Sequence, residues 1–128
     1  MRVFSTTEAG NMLPLVRSIV KDILATGQLL RIMNFDYGNE VSVLPEYQQT
    51  SAQLSRYINE LEELGCLYKD YNFTVGLVDF PSIINGKEVF LCWRSDEPRL
   101  MFYHSIDEGF IGRKLIPEEL HYQEAIEM

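Results

Sequence analysis

The sequence predicts an α+β fold: a long N-terminal antiparallel helical hairpin together with a small three-stranded antiparallel sheet. Apolar residues recur at three- and four-residue spacings in residues 9–30 and 47–64, as they do on one face of an amphipathic helix. Residues 75–80 and 88–93 are rich in Val, Phe, Leu and Trp, which favour strands. An Asn-Gly pair at residues 85–86 separates these strands and is typical of a two-residue hairpin turn.

The length of 128 residues predicts one domain that comprises the whole chain. Within it, we assign residues 1–65 to the helical hairpin, residues 75–113 to the sheet and a following turn, and residues 117–128 to a terminal helix or tail. Hydrophobic residues make up 46% of the chain and charged residues 23%, which is the composition of a globular protein with a core rather than of a disordered chain.

Charge and hydropathy restrict the range of partners. The 19 acidic and 11 basic residues give a net charge of −8, so the field of the molecule repels nucleic acid and anionic membranes. No apolar run approaches the ~20 residues that span a bilayer, and the N-terminus lacks the apolar stretch of a secretory signal. We therefore predict a cytoplasmic protein with no nucleic acid and no membrane partner. With Cys66 and Cys92 as the only cysteines, we expect reduced thiols rather than a disulfide.

The first helix has a recognisable start. Ser5 can cap the amides of the first turn while Glu8, three residues later, reaches back to the Ser5 amide. Pro14 lies inside the apolar periodicity. Because proline removes a helical hydrogen bond and clashes with the carbonyl four residues back, the helix either is kinked near Gly10 and Asn11 or begins there, and we favour the kink. Residues 34–44 break the periodicity and are expected to form a loop.

The second helix is expected to begin at Pro45, a residue suited to a first helical turn, and to end at Gly65, which can adopt a left-handed cap conformation. Two amphipathic helices joined by a modest loop should pack as an antiparallel hairpin. Such a hairpin cannot cover its whole apolar surface, so we predict a homodimer that forms through the helices.

The turn at residues 85–86 determines a register for the first two strands. Ile84 then faces Lys87, and counting back puts Asp79 opposite Cys92. One face is a core face and holds Val78, Phe80, Val89, Leu91 and Trp93. The other face holds Asp79, Cys92 and Arg94, and Asp79 and Arg94 are diagonal neighbours that could form an ion pair. Because it is flanked by large apolar residues, Cys92 is expected to be a buried small residue rather than a nucleophile.

A third strand is predicted at residues 99–104, and the sequence leaves its facing open. If Arg94 and Arg99 pair across a four-residue loop, His104 falls on the core face. A loop longer or shorter by one residue reverses this and brings His104 beside Cys92 and Asp79. Whether His104 belongs to a site or to the core depends on that loop.

Several segments resemble those of one bacterial family. They are FSTTEAGNMLPLVR in the first helix, ELEELGCLYKD at the end of the second, GLVDFP and EVFLCWR in the strands, the Glu97-Pro98 turn, and His104 followed by GFIGR. Residues 4 to about 115 resemble the family known as domain of unknown function 2203. The resemblance implies no activity.

One functional hypothesis is a metal site formed by Asp79, His104, Asp107 and Glu108. Mixed imidazole and carboxylate ligands suit Mn, Fe or Zn, and an open coordination position could activate water. The corresponding function is a metal-dependent, hydrolase-like enzyme that uses Asp79, His104 and Asp107. The structural alternative is that Asp107 and Glu108 are solvated turn residues and that His104 is a hydrogen-bonded core residue.

The other hypothesis, which we place first, is a non-enzymatic interaction or regulatory module. Its sheet face around Asp79, Arg94 and Arg113 would bind a small anion or a protein partner, because arginine provides a bidentate fork and the glycine turn at residues 109–112 exposes backbone amides. The structural alternative is two ion pairs, of Arg94 with Asp79 and of Arg113 with Asp107 or Glu108.

Overall fold

Two long helices begin the fold. In the computed structural model, which describes residues 2–120, α1 spans Thr6–Tyr37 and α2 spans Pro45–Leu64. The predicted capping box is confirmed, because Glu8 N–H donates to Ser5 Oγ at 3.0 Å and Ser5 N–H donates to Glu8 Oε1 at 3.0 Å. The helix α1 continues through Pro14 to its end at Tyr37.

The connection between the helices is more regular than the predicted loop. The helix α1 extends to Tyr37 and a 3₁₀ helix, Gly38–Val43, follows it. Within residues 34–44 Val41 is the one buried residue, so this side chain anchors a connection that is otherwise largely exposed. Pro45 occupies the first turn of α2 and Gly65 ends α2 with a φ of 96°, both as predicted.

The α+β class is confirmed, but the sheet has five strands rather than three. The strands are antiparallel and lie in the order β1-β2-β3-β4-β5: β1 Leu67–Tyr68, β2 Leu77–Ile84, β3 Lys87–Arg94, β4 Phe102–Ser105 and β5 Lys114–Leu115. The two additional strands, β1 and β5, have two residues each. A two-residue strand is too short to display an alternation of apolar and polar residues, so the sequence contained no signal for either.

The register predicted for the β2–β3 hairpin is confirmed at every pair. Ile84 faces Lys87 and Asp79 faces Cys92. Asn85 and Gly86 have φ values of 52° and 79°, the left-handed conformations that a type I′ turn requires. Pro81 lies inside β2 without interrupting the pairing, and its carbonyl accepts a hydrogen bond from Phe4 N–H at 2.7 Å.

Of the two arrangements that the sequence left open for β4, the structure has the one in which the loop after β3 is one residue longer than four. Phe102 pairs with Cys92 and His104 pairs with Phe90, which is a shift of one residue from a pairing of Arg94 with Arg99. Side chains alternate between the two faces of a strand, so this shift puts His104 on the same face as Cys92 and Asp79.

The core lies between the helices and the opposite face of the sheet. It contains Phe4, Val16, Val20 and Ile23 from the N-terminal part of the chain, Leu61 from α2, and Val78, Phe80, Leu91 and Trp93 from the sheet. At Gly27 the helix α1 approaches the ring of Phe73 so closely that a Cβ atom would overlap it. No helix within residues 2–120 is long and apolar enough to cross a membrane. Of the predicted terminal helix or tail, residues 118–120 are helical, and residues 121–128 lie outside the described residues.

Candidate functional site

Three chemically active side chains meet on the face of the sheet that points away from the helices. Asp79 on β2 and His104 on β4 reach across β3, where Cys92 lies between them. All three residues are buried, with 4%, 4% and 2% of their surfaces exposed for Asp79, His104 and Cys92. A carboxylate oxygen, a ring nitrogen and the Cys92 sulfur lie within 4.8 Å of one another. We call these residues the Asp-Cys-His cluster.

The hydrogen bonds of His104 determine which of its nitrogens is free. Nδ1 lies 2.8 Å from the backbone oxygen of Ser105, and since a carbonyl oxygen can only accept, Nδ1 carries the proton. Nε2 lies 3.2 Å from both carboxylate oxygens of Asp79. In neutral imidazole Nε2 is then an acceptor, so it and the Asp79 carboxylate present lone pairs to each other. A cation between them, either a proton or a metal ion, would relieve this arrangement.

Cys92 is a protonated thiol at neutral pH when nothing is bound to it. Burial, and after it the negative charge of Asp79, raise the pKa of its thiol to about 12, against the opposing effect of the Arg113 guanidinium. A thiol with this pKa is a poor nucleophile. It would become a thiolate only on binding a metal ion that displaces the proton.

A cavity of about 320 Å³ lies over the cluster. Besides the cluster it is lined by Lys69, Leu77, Phe90, Ile106, Glu108, Gly109 and Phe110. A larger cavity, about 520 Å³, lies beside the start of α1 and touches none of the cluster residues. We place the candidate site at the smaller cavity because buried titratable groups, rather than volume, distinguish a site of chemistry.

The two acidic residues after β4 differ in position. Glu108 lines the cavity, and its Oε1 accepts a hydrogen bond from Ser105 Oγ at 2.8 Å. Asp107 is exposed and does not line the cavity. Of the four residues in the sequence-based metal hypothesis, the fold therefore brings Asp79 and His104 together, holds Glu108 at the cavity, and leaves Asp107 outside it.

The ion pair expected between Arg94 and Asp79 does not form. Arg94 Nε and NH2 donate to the two carboxylate oxygens of Asp96 at 2.6 Å each. Asp96 lies two residues away in the adjoining turn and both partners are partly exposed, whereas Asp79 is directed toward His104 in the buried cluster.

Arg113 likewise has a different partner from the expected Asp107 or Glu108. Its NH2 donates to Glu97 Oε2 at 2.6 Å and to the backbone oxygen of Cys92 at 3.3 Å. The guanidinium packs over the rings of Phe102 and Phe110, at 4.0 and 4.7 Å from their centroids. Glu97 Oε1 also accepts from the backbone N–H of Arg94 at 2.8 Å, so this pair ties the segment after β4 to the β3–β4 turn.

Sequence reasoning considered Cys92 only as a nucleophile or a core residue and missed it as a third member of the cluster. A signal was present, since the predicted hairpin register put Cys92 opposite Asp79. The missing information was the facing of β4, which brings His104 to the same place.

The fold and the site define an α+β protein with a buried Asp-Cys-His cluster beneath a small cavity. A family profile described as an uncharacterized conserved protein (DUF2203) matches residues 2–116. The chain therefore belongs to this family, which confirms the resemblance seen in the sequence. Searches of curated proteins and of solved structures found no match.

Proposed function

We propose that the protein is a metal-binding module whose Asp-Cys-His cluster holds one divalent transition-metal ion. The observation that carries this proposal is the short distance, 3.2 Å, between Nε2 of His104 and the carboxylate of Asp79, which are both acceptors when the imidazole is neutral with its proton on Nδ1. A metal ion between them would bind both lone pairs at once. The hydrogen bond from Nδ1 to a backbone carbonyl is the outer interaction that usually orients a histidine ligand which binds through Nε2.

Zinc fits the donor set best. Thiolate, imidazole and carboxylate are the three ligand types that bind zinc in proteins, and a thiolate favours zinc or iron over manganese. The presence of Cys92 therefore disfavours Mn among the three metals, Zn, Mn and Fe, that the sequence analysis considered. Three protein ligands leave one position of a tetrahedral ion open, as in catalytic zinc sites.

The open position would face the cavity, because all three cluster residues line it. Its walls include Phe90, Ile106 and Phe110, and Lys69 lies 5.8 Å from the ring centroid of Phe90. At about 320 Å³ the cavity is near the lower end of the usual range for small-molecule sites. We therefore propose that a small molecule with an oxygen donor binds there through the metal.

A module that binds a small anion at Arg94 and Arg113 has weaker support. Each guanidinium is already paired with a carboxylate, that of Asp96 or Glu97. An anion would have to displace these carboxylates, and for the largely buried Arg113 pair that displacement would be costly.

Metal analysis of the purified, untagged protein tests the proposal. After incubation with zinc and removal of free metal, we expect about one zinc ion per chain, and we expect Cys92→Ala and His104→Gln to lose it. Cys66→Ala is the matched control, because Cys66 is also a buried free cysteine but lies outside the cluster. Absence of bound zinc, iron and cobalt from the wild type, or zinc retained by Cys92→Ala, would contradict the proposal.

A further inference from the structure

We infer that the cavity is a hydrolytic site in which Glu108 accepts a proton from water bound at the open metal position. The inference rests on the proposed metal site and adds a reaction to it. It begins from the position of Glu108, which lines the same cavity as Asp79, Cys92 and His104. Glu108 does not belong to the group of ligand atoms within 4.8 Å of one another. Its carboxylate therefore suits a contact with a ligand on the metal rather than a contact with the metal.

The carboxylate of Glu108 is held from two sides. Ser105 Oγ donates to its Oε1 at 2.8 Å. On the other side it packs against Gly112, where an added Cβ would lie only 2.6 Å from Oε2. No cationic side chain among residues 2–120 forms an ion pair with it. It is thus an oriented carboxylate, without a neutralising partner in the described part of the chain, at the edge of the cavity.

Ser105 links this carboxylate to the cluster. Its backbone oxygen accepts the hydrogen bond from His104 Nδ1 at 2.8 Å, and its hydroxyl donates to Glu108. One residue therefore orients both the histidine ligand and the proposed proton acceptor. Such positioning by a rigid neighbour is what proton transfer in catalysis requires.

The proposed reaction is the hydrolysis of a carboxylic ester or amide. With a metal ion bound by the cluster, Glu108 would accept a proton from the attacking water, and the oxygen of that water would form a bond to the carbonyl carbon. The bond from that carbon to the leaving oxygen or nitrogen then breaks, and the leaving group takes the proton from Glu108. Water is the only co-reactant, and the products are a carboxylic acid and an alcohol or amine.

The cavity indicates which substrates fit. Phe90, Ile106 and Phe110 provide apolar walls for an acyl or aromatic group. Lys69 has no acidic ion-pair partner among the described residues, so it is available to a negatively charged substituent. We expect small esters or amides that carry one negative charge to be better substrates than cationic ones.

The experiment compares zinc-loaded wild type with Glu108→Gln, using 4-nitrophenyl acetate as the probe. We expect Glu108→Gln to bind zinc as the wild type does and to hydrolyse the ester more slowly by a factor of about 10² or more. Glu88→Gln is the matched control, because Glu88 is an exposed residue of β3 that does not line the cavity, and it should keep wild-type activity.

A second readout does not depend on turnover. Acetohydroxamic acid releases a proton when it coordinates a metal ion, whereas azide binds as an anion that already lacks one. The absorption spectrum of cobalt-loaded protein reports ligand binding. In this assay Glu108→Gln should weaken the binding of acetohydroxamic acid by about tenfold and leave the affinity for azide unchanged.

The outcomes separate the two proposals. A protein that takes up no metal refutes the proposed function. A protein that binds zinc but hydrolyses no faster than zinc in solution overturns the inference alone, as does a Glu108→Gln variant that matches the wild type in both readouts.

Discussion

The Nε2 atom of His104 and the carboxylate of Asp79 face each other at 3.2 Å, with no donor hydrogen between them when His104 is neutral and its proton is on Nδ1. The pair is buried, with 5% of each side chain exposed, so leaving both acceptors without a donor would be costly. Metal-free protein should therefore respond to changes at position 79 in an unusual way.

Asp79→Asn should leave the metal-free protein at least as stable as the wild type, because the Asn amide can donate to Nε2. Asp79→Ala offers no donor and should lower the free energy of unfolding by about 1–3 kcal/mol. Urea denaturation in the presence of a chelator measures both changes. If Asp79→Asn is destabilised as much as Asp79→Ala, then His104 is charged in the metal-free protein and the pair is an ion pair.

The two arginine ion pairs should differ greatly in their contribution to stability. Arg113 and Glu97 have side chains that are 10% and 13% exposed, and Arg113→Met would leave a buried carboxylate unpaired, at a cost of about 3–5 kcal/mol. Arg94 and Asp96 are 38% and 53% exposed, so Arg94→Met should change the free energy of unfolding very little. Denaturant midpoints of Arg113→Met and Arg94→Met test this difference. Equal losses of stability would show that burial does not determine how much each ion pair contributes.

Two glycines of the same helix should respond to alanine in opposite directions. A Cβ at position 27 would overlap the ring of Phe73, so Gly27→Ala should destabilise the protein by about 1–3 kcal/mol. Nothing lies within 4 Å of a Cβ at position 10, and Gly10→Ala should stabilise α1 by up to about 1 kcal/mol. Thermal unfolding of both variants provides the comparison. A neutral Gly27→Ala would mean that Phe73 moves away at little cost.

The capping box should make the stability of α1 depend on pH. Hydrogen bonds from the Ser5 amide and hydroxyl hold the pKa of Glu8 below its ordinary value of 4.5. A carboxylate with a lowered pKa in the folded state contributes stability above its unfolded pKa and loses it as pH falls through the folded value. At pH 7 the free energy of unfolding of the wild type should therefore be higher than that of Glu8→Gln, but by less than about 1 kcal/mol because the site is exposed. When denaturation is measured at several pH values, the free energies of unfolding of the wild type and of Glu8→Gln should converge below pH 4.5.

The local parts of the fold could be predicted because each has a short-range cause. The capping box, the left-handed Gly65 and the Asn-Gly turn depend on a few neighbouring residues, and the turn alone determined the β2–β3 register. The strands β1 and β5 depend instead on distant partners, and two residues are too few to express a pattern.

The site was only half predictable for a related reason. Asp79 and Cys92 are brought together by the hairpin turn, but His104 joins them through the β3–β4 connection, whose length sets which side of β4 faces them. Both sides of β4 carry aromatic or apolar residues, so composition could not decide between them. The actual partners of Arg94 and Arg113 depended on that same connection.

The homodimer through the helices stays a prediction. Large apolar residues near the end of α1 are exposed, among them Ile32 at 57% and Phe35 at 89%. If a second copy covers them, light scattering over the micromolar range should report a dimer, and Phe35→Glu should shift it to a monomer by placing charge in the interface. Leu15 is also exposed and lies about five and a half turns earlier on α1, so Leu15→Glu is the control for a general effect of added charge. A monomeric wild type would exclude the dimer.

The connection between β3 and β4 also limits how this protein can change during evolution or engineering. Deleting or adding one residue between Cys92 and Phe102 would rotate β4 by one position, which would turn His104 toward the helices and present Tyr103 to Asp79 instead. Substitutions in this connection leave the facing of β4 unchanged, whereas the insertion or deletion of a single residue reverses it. A library that varies the length of this loop should therefore keep His104 on the face of Asp79 only at changes of two residues.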